Sequence, residues 1–327
     1  MSSIITNFAA NTALQTLREV HDELEKSQNQ VSSGLRVRTA SDNVAYWSIS
    51  TTMNSDKKAV SATIDALGVG AAKVDTAYAG MAAAIDVMSE FKSKLVTSHE
   101  TSTDKTQINN ELDQLKEQLK AIAKSASFSG ENWLWMTDPA DAAQNGVKKL
   151  PSAIIRDASG NVSVQTINFD MTATFDTDQV FYLISNGGCD GIITNSAFAN
   201  MAGYPDGPSG GWVVFNGEDH PGHPEMVLTQ DTTAEEIEGM TKTTDLMIQR
   251  MIEVAAMFGS LQQRIGMQTD FASKLSDSIS SGVSRLVDTD MEEASAKLSA
   301  LQTQQQLAIQ SLAIANANPK NIMTLFQ

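Results

Sequence analysis

Proline is absent from residues 1–138 and from residues 225–318, although the chain contains seven prolines in all. Proline removes a backbone hydrogen-bond donor and clashes with the preceding helical turn, so it excludes long helices wherever it recurs. The two proline-free flanks can therefore form long helices. The middle of the chain, where most of the prolines lie, cannot.

Apolar residues in both flanks recur at alternating steps of three and four, which is the spacing of a coiled-coil helix. The spacing runs through residues 64–95, 108–122 and 240–286. In the first stretch the predicted buried positions are Ile64, Leu67, Ala71, Val74, Tyr78, Met81, Ile85, Met88, Lys92 and Leu95. Polar turn residues separate the first stretch from the second, so these two helices are expected to pack antiparallel. Together the three stretches predict a helical bundle.

The extreme ends repeat the spacing with more polar interruptions. At the N-terminal end the positions are Leu14, Leu17, His21, Leu24, Gln28, Val31 and Leu35. At the C-terminal end they are Met291, Ala294, Leu298, Leu301, Gln305, Ala308, Leu312 and Ala315. A helix with so narrow an apolar stripe is marginal alone in water, so each end needs a partner.

The middle of the chain has a different pattern. Apolar and polar residues alternate over 153–169 on either side of a Gly-containing turn, which predicts a β-hairpin, and short apolar runs at 180–184 and 212–215 predict further strands. Residues 131–240 hold 16 acidic and three basic side chains, and so carry −13 of the net charge of −16. The predicted fold is mainly α: a long coiled-coil bundle made from both chain ends, with an inserted small β-rich outer domain.

Charge and composition exclude several classes of protein. A net charge of −16 argues against nucleic-acid and anionic-membrane partners, which select basic surfaces. No stretch approaches the roughly 18 consecutive apolar residues of a membrane span, and the first ten residues lack a secretory signal pattern. Because Cys189 is the only cysteine, an internal disulfide is impossible.

One loop carries residues that could bind a metal ion. It contains Glu218, Asp219, His220, His223 and Glu225. Two prolines within the loop forbid the helix on which a metalloprotease histidine pair lies, so a solvated acidic loop is the favoured interpretation. No phosphate-binding loop, dinucleotide fingerprint or nucleophile elbow is present. We therefore expect no catalytic residues, no metal ligands and no cofactor.

Residues 32–43 resemble the N-terminal signature of bacterial flagellin, and residues 128–130, 259–264, 284–291 and 315–325 resemble that family's other motifs. The signature positions are Ser33, Gly34, Leu35, Arg36, Asp42, Arg264, Arg285, Asp288 and Asp290. Two features depart from the common pattern. An aromatic pair, Tyr46 and Trp47, follows the signature, and the last residue is Gln327 rather than a basic one. The aromatic pair is similar to the alphaproteobacterial branch of the family.

The resemblance implies a structural subunit that self-assembles into the flagellar filament for motility, outside the cell, after export through the flagellar type III pathway. It implies a nested layout: a terminal coiled-coil core at 1–43 and 286–327, a helical bundle with the hairpin at 44–171 and 229–285, and a variable outer domain at 172–228. The expected filament-core contacts are Phe8, Leu14, Leu17, Leu24, Val31, Leu35, Leu298, Leu301 and Leu312.

The resemblance also implies partners. These are further copies of the chain, an export chaperone, the filament cap and the hook-associated proteins. The vertebrate innate receptor for flagellin reads a charged stretch that corresponds here to residues 89–96, and because this stretch lacks arginine we expect weak activation. Two alternatives stay open: a hook–filament junction protein, which the motifs around Arg264 and Arg285 disfavour, and a flagellin-like surface protein with a metal-dependent activity.

Overall fold

A computed structural model describes residues 7–100, 104–137, 146–157, 159–171, 177–186, 191–204, 211–216 and 223–323. The helices are α1 (Phe8–Ser33), α2 (Val44–Thr97), α3 (Lys105–Ser125), α4 (Ala197–Met201), α5 (Ala234–Val287) and α6 (Met291–Met323). The strands are β1 (Ser127–Phe128), β2 (Glu131–Asn132), β3 (Trp135–Met136), β4 (Gly146–Arg156), β5 (Val162–Met171) and β6 (Ile184–Ser185). The mainly helical fold expected from the sequence is confirmed.

The chain forms two compact units. One, the terminal unit, consists of Met1–Lys58 and Leu275–Gln327. The other, the bundle unit, consists of Ala59–Lys274.

Polar residues mark where the long helices begin. The side chain of Asp104 accepts hydrogen bonds from the backbone of Thr106 and Gln107 at the start of α3. At the start of α5, Thr233 and Glu236 exchange bonds between side chain and backbone, at 2.7 Å and 3.2 Å. Both arrangements satisfy amide groups that have no partner within the helix. The helix boundaries are thus encoded locally.

The predicted buried positions of α2 form two interleaved sets, each repeating every seven residues. One set agrees with the structure, and the other differs from it in part. The fully buried positions Leu67, Val74, Met81, Met88 and Leu95 repeat every seven residues, as predicted. Of the alternate positions, Ala71 and Ile85 are partly buried against the core, as predicted. Tyr78, however, is 40% exposed, and the fully buried alternate positions are Ala77, Ala84 and Phe91, one residue before the predicted ones.

Ala77 and Ala84 were missed because alanine contributes little to an apolar pattern, and Phe91 was missed because the predicted three-and-four spacing was continued through Lys92. Small residues nonetheless allow close approach of neighbouring elements. At Gly80 on α2, an added Cβ would lie 2.7 Å from Leu134 Cδ1 and 2.8 Å from Ala126 Cβ. The bundle-facing side of α2 is therefore selected by small residues as well as by large apolar ones.

The predicted spacing of the other two bundle helices is confirmed. The buried residues of α3 include Ile108, Leu112, Leu115 and Leu119. Those of α5 within the bundle unit include Met240, Met247, Met251, Val254, Phe258, Leu261 and Ile265. All of these positions belong to one hydrophobic cluster.

The predicted hairpin is also confirmed. Strands β4 and β5 pair antiparallel, from Arg156 opposite Val162 to Gly146 opposite Met171. In the connecting turn the Asp157 carboxylate accepts from the Ser159 and Asn161 amides, and Gly160 has a φ of +87°. On β5, the centre of the Phe169 ring lies 6.0 Å from the centre of the Trp133 ring and 5.7 Å from the centre of the Phe258 ring of α5.

The two apolar runs predicted as further strands are mostly irregular. Ile184 belongs to β6, which pairs in parallel with β3, and Val213 forms an isolated bridge with Glu225. Long-range backbone hydrogen bonds connect these segments outside any regular sheet. For example, the Val214 amide donates to the Ile193 carbonyl at 3.0 Å. Val180, Tyr182 and Trp212 lie in the same hydrophobic cluster as the bundle helices. Buried residues of the segment 172–228 thus share one hydrophobic core with the helices and the hairpin of the bundle unit.

Candidate functional site

The terminal unit is built on a pair of antiparallel helices, α1 and α6. The Asn7 side chain donates to the Ala315 carbonyl at 2.8 Å, and the Ser27 hydroxyl donates to the Ala294 carbonyl at 3.5 Å. Between these bonds the buried apolar residues are Leu24, Ala294, Leu301, Ala308 and Ala315. The weaker spacing at the two chain ends therefore brings those ends together.

An ion pair adds to this helix pair. Lys297 Nζ lies 2.9 Å from Glu23 Oε2, and both side chains are about half exposed. The hydrogen bond and positive charge of Lys297 lower the pKa of the Glu23 carboxyl below its ordinary 4.5. Charge thus supports the pairing, although solvent screens it.

The expected filament-core residues divide into two groups. Leu24 and Leu301 are buried, and Leu17, Val31, Leu35, Leu298 and Leu312 are partly buried within this one chain. Phe8 is 70% exposed and Leu14 is 37% exposed. Their assignment to contacts between subunits stays a prediction, and the exposed group is the one free to make such contacts.

The sequence reasoning missed a second set of exposed apolar residues on α6. Leu307 is 56% exposed, Ile309 52% and Ile314 65%. They lie in a stretch, residues 298–319, that contains no charged side chain. A long helix exposed to water normally carries charges on its outer face, so the absence of charge was the signal that could have identified this surface.

Most of the signature residues meet where α1 ends and α6 begins; we call this region the junction. The loop that follows α1 pairs with the short break between α5 and α6 through a Leu35–Asp288 bridge. The Arg36 amide donates to the Val287 carbonyl at 2.7 Å, and the Thr289 amide donates to the Gly34 carbonyl at 3.0 Å. The two ends of the chain are joined there by backbone bonds.

Glycine is needed where α1 ends. Gly34 has a φ of +72°, in the left-handed region, and its amide donates to the Gln30 carbonyl at 2.8 Å. A left-handed residue at this position closes the last helical turn, and side chains with a Cβ are strained in it. The Ser33 hydroxyl accepts from the Leu35 amide at 3.2 Å, which supports the same turn.

Three aspartates shape the junction. Asp42 accepts from the Arg38 and Thr39 amides at 3.0 Å and 2.8 Å, and these bonds hold the pKa of its carboxyl below the ordinary range. Asp290 caps α6 by accepting from the Glu292 amide at 2.9 Å. Asp288 accepts from the Ser284 hydroxyl at 2.5 Å. Each aspartate of the signature thus has a structural role.

The remaining two signature residues are exposed. Arg285 lies in the last turn of α5, within the terminal unit. Arg264 lies on α5 in the bundle unit and is not part of the junction. The structure therefore brings together the other signature residues but not Arg264.

The loop with possible metal ligands is only partly described, because Glu218, Asp219 and His220 lie outside the described residues. Glu225 accepts from the Asn216 amide at 3.0 Å and lies 3.9 Å from Lys116. The His223 carbonyl accepts from the Asn216 side chain at 2.8 Å. Within the described ranges no group of three or more potential ligands could hold a metal ion.

The charged stretch at 89–96 lies on α2. Lys92 forms an ion pair with Asp245 of α5, and Lys94 lies 2.7 Å from Glu111 of α3. The Glu111 carboxylate raises the pKa of Lys94. Both lysines are therefore engaged within the bundle unit.

Comparison with known proteins gives matches at both ends of the chain. Residues 4–137 match the bacterial flagellin N-terminal helical region, and residues 241–326 match the bacterial flagellin C-terminal helical region. None of the described helices is long and apolar enough to cross a membrane.

Full-length relatives agree with these matches. Flagellin C of Rhizobium meliloti strain 1021 is 45% identical over 329 residues, and flagellin D of the same strain is 41% identical over 406 residues. Flagellin of Brucella melitensis biotype 1 is 36% identical over 330 residues. Each alignment covers 100% of both chains. A crystal structure of Bacillus cereus flagellin aligns with 64% of this chain and 88% of its own, at a TM-score of 0.38 and 15% identity.

Proposed function

Because the chain belongs to the bacterial flagellin family, we propose that it polymerises with copies of itself into the flagellar filament, after export through the flagellar type III pathway. Flagellins are structural proteins of the extracellular filament rather than enzymes. The observation that supports self-assembly most directly is the exposed apolar surface of the α1–α6 pair, which on α6 lies in a stretch without charged side chains.

The exposed surface needs a partner for physical reasons. Burial of apolar area contributes roughly 25 cal/mol per Å², and Phe8, Leu14, Leu307, Ile309 and Ile314 leave that contribution unrealised in a single chain. A second α1–α6 pair, packed alongside, can cover these side chains. A contact that joins different faces of neighbouring copies, and whose rotation does not close into a ring, generates an open helical polymer. The pair thus supplies the drive for assembly.

Charge supports the proposed inside and outside of the filament. The acidic residues 131–240 carry most of the net charge, whereas residues 298–319 carry none. Like charges repel when many copies converge on one axis, so an uncharged segment suits the centre and an acidic one suits the solvent. On this ground we place residues 298–319 nearest the filament axis. The family layout further assigns residues 1–43 and 286–327 to the filament core, 44–171 and 229–285 to the bundle around it, and 172–228 to the outside, with the buried Val180, Tyr182 and Trp212 attaching that segment to the bundle.

The family's assembly partners follow from this assignment. We propose that an export chaperone, the filament cap and the hook-associated proteins act on this chain. The full-length relatives are flagellins, which favours a filament subunit over a hook–filament junction protein. Weak activation of the innate flagellin receptor is proposed as well, because residues 89–96 lack arginine and their lysines are paired within the bundle. A cell reporter response equal to that of an enterobacterial flagellin contradicts the last point.

Truncation tests the proposal. A chain lacking residues 291–327 loses α6, so it should stay monomeric under conditions in which the full chain forms sedimentable filaments. The bundle unit should stay folded in the truncated chain, and circular dichroism and thermal unfolding verify this. A matched truncation of residues 1–35 should behave in the same way. Filaments formed by either truncated chain, seen by electron microscopy, contradict the proposed role of the terminal pair.

A further inference from the structure

A polar cavity of about 510 Å³ lies beside the junction, within the terminal unit. Its walls are the last two turns of α1, the loop 34–43 and the first turn of α2. The charged groups on these walls are Lys26, Arg36, Arg38 and Asp42, so three cations face one anion. The cavity is therefore positive in a chain whose net charge is −16.

The positive charge of this cavity is only partly offset among the described residues: Lys26 Nζ lies 4.0 Å from Glu23 Oε1, a carboxylate that Lys297 also contacts. The Asp42 carboxylate accepts backbone amides of its own loop. One Arg36 nitrogen donates to the Leu286 carbonyl at 3.1 Å, and its guanidinium lies 5.9 Å from the Tyr46 ring centre. Among the described residues, no carboxylate lies within 4.0 Å of Arg36 or Arg38. Free guanidinium donors favour a carboxylate ligand.

A matching acidic surface exists on the same unit. Residues 288–293 contain four acidic side chains, and no basic residue lies between Arg285 and Lys297. Asp288 and Asp290 are engaged in local hydrogen bonds, as described above. Glu292 and Glu293 are exposed, and no ion pair to either occurs in the described part of the chain.

We propose that the cavity binds the first turn of α6 from a second copy of the chain, with Glu292 and Glu293 of that copy facing Arg36 and Arg38. This rests on the proposed function, because it specifies one contact between neighbouring filament subunits. Charge complementarity favours this occupant: the cavity is lined by an excess of cations, and the acidic turn is an exposed cluster of opposite sign at the same end of the terminal unit. Complementary charges of this kind align partners and exclude wrong arrangements.

The positions of the two surfaces determine the kind of contact. Both lie at the junction end of the α1–α6 pair, since the Thr289 amide is bonded to the Gly34 carbonyl. Glu292 and Glu293 do not line the cavity of their own chain. The cavity of one copy and the acidic turn of the next therefore meet when the copies lie side by side. Because the two surfaces differ, the contact repeats from copy to copy without closing on itself as a dimer.

A charge exchange tests this contact. Arg38→Glu and Glu293→Lys, each alone, should raise the subunit concentration that remains unpolymerised about fivefold to tenfold, and the double variant should return it to within about twofold of the original. Lys58→Glu changes an exposed cation of the same unit away from the cavity and serves as the matched control. Single variants that behave like the control, or a double variant that is no better than the singles, overturn the proposal.

Crosslinking provides a measurement that does not depend on charge. In a Cys189→Ser background, Arg38→Cys together with Glu293→Cys should give a ladder of disulfide-linked chains when assembled filaments are oxidised, and no linked chains when monomers are oxidised. Lys58→Cys with Glu293→Cys should give no ladder. Absence of a ladder from wild-type-like filaments overturns the contact while leaving the proposed function intact. A wild-type chain that never polymerises overturns both.

Discussion

The bundle unit and the terminal unit use the same three-and-four apolar spacing with different results. In the bundle unit, residues of α2, α3, α5 and the hairpin enclose side chains such as Phe91, Leu119 and Phe258 completely. In the terminal unit, α1 and α6 cover only one face of each other and leave Phe8, Leu307 and Ile314 exposed. An apolar stripe is thus sufficient for a core only when several elements surround it. A two-helix pair remains unfinished until further copies pack on it.

The two units also differ in the kind of residue that occupies their buried positions. The bundle unit packs three aromatic rings, Trp133, Phe169 and Phe258, within about 6 Å of one another. The predicted buried positions of α6 in the terminal unit include small or polar residues such as Ala294, Gln305 and Ala308 among the leucines. Because stabilisation follows buried apolar area, the bundle unit holds its own fold and the terminal unit holds a weaker one.

The largest expected effect is a cavity in the bundle core. Phe258→Ala should lower the free energy of unfolding by about 3–5 kcal/mol, because the ring is fully buried against Trp133 and Phe169. Urea unfolding of the monomer measures the loss. Leu301→Ala, a buried position of the terminal pair, should leave the unfolding of the bundle unchanged. Equal losses in the two variants contradict the independence of the units.

The exposed apolar face of α6 should affect assembly rather than folding. Leu307→Ser with Ile314→Ser should change monomer stability by under about 0.5 kcal/mol, since both side chains are more than half exposed. The lost burial between copies should raise the critical concentration for polymerisation about tenfold or more. Sedimentation measures it. Ile252→Ser, 52% exposed on α5 of the bundle unit, is the control and should have a smaller effect.

Alanine substitution at two glycines should change stability in opposite directions. Gly34→Ala places a Cβ in the left-handed region at φ +72° and should weaken the junction by about 1 kcal/mol. The Thr289 amide, which donates to the Gly34 carbonyl, should then exchange its hydrogen about fivefold faster. Gly259→Ala, in the interior of α5 with no atom within 4 Å of the new Cβ, should instead stabilise the bundle by about 0.5–1 kcal/mol. Equal losses of stability in the Gly34→Ala and Gly259→Ala variants contradict the special backbone role of Gly34.

The smallest expected effect is a pH dependence of the terminal pair. The pKa of Glu23 is lowered in the folded state, so its contribution is complete above the ordinary value of 4.5 and is lost as the pH falls through the lower folded-state pKa. The protection of the α1 amides, expressed relative to the intrinsic exchange rate at each pH, should therefore fall as the pH is lowered below 4.5. A carboxyl titration by NMR measures the pKa directly, and Lys297→Gln should restore it towards 4.5. An unchanged Glu23 pKa in that variant contradicts the role of Lys297.

Local rules in the sequence indicated the long helices and the hairpin, although α2 begins at Val44, well before the predicted stretch at 64–95. The spacing of α3, α5 and α6 was predictable because most positions in those stripes carry their own apolar signal, with polar exceptions such as Gln305. The caps at Asp104 and Asp290 and the turn at Asp157 act on amides two to four residues away, so short segments encode them. The signature residues were recognisable for the same reason.

Only the tertiary structure decided which residues the stripes face. Ala77 and Ala84 are buried because other elements pack against that side of α2, and no local rule distinguishes them from Tyr78. The parallel pairing of Trp135 with Ile184 and the bridge from Leu35 to Asp288 join residues far apart in sequence. The sequence by itself thus determined the long helices, the hairpin and the family, but not the short strands. The fold decided which apolar residues are covered within one chain and which remain exposed, because coverage depends on how many neighbours surround each helix.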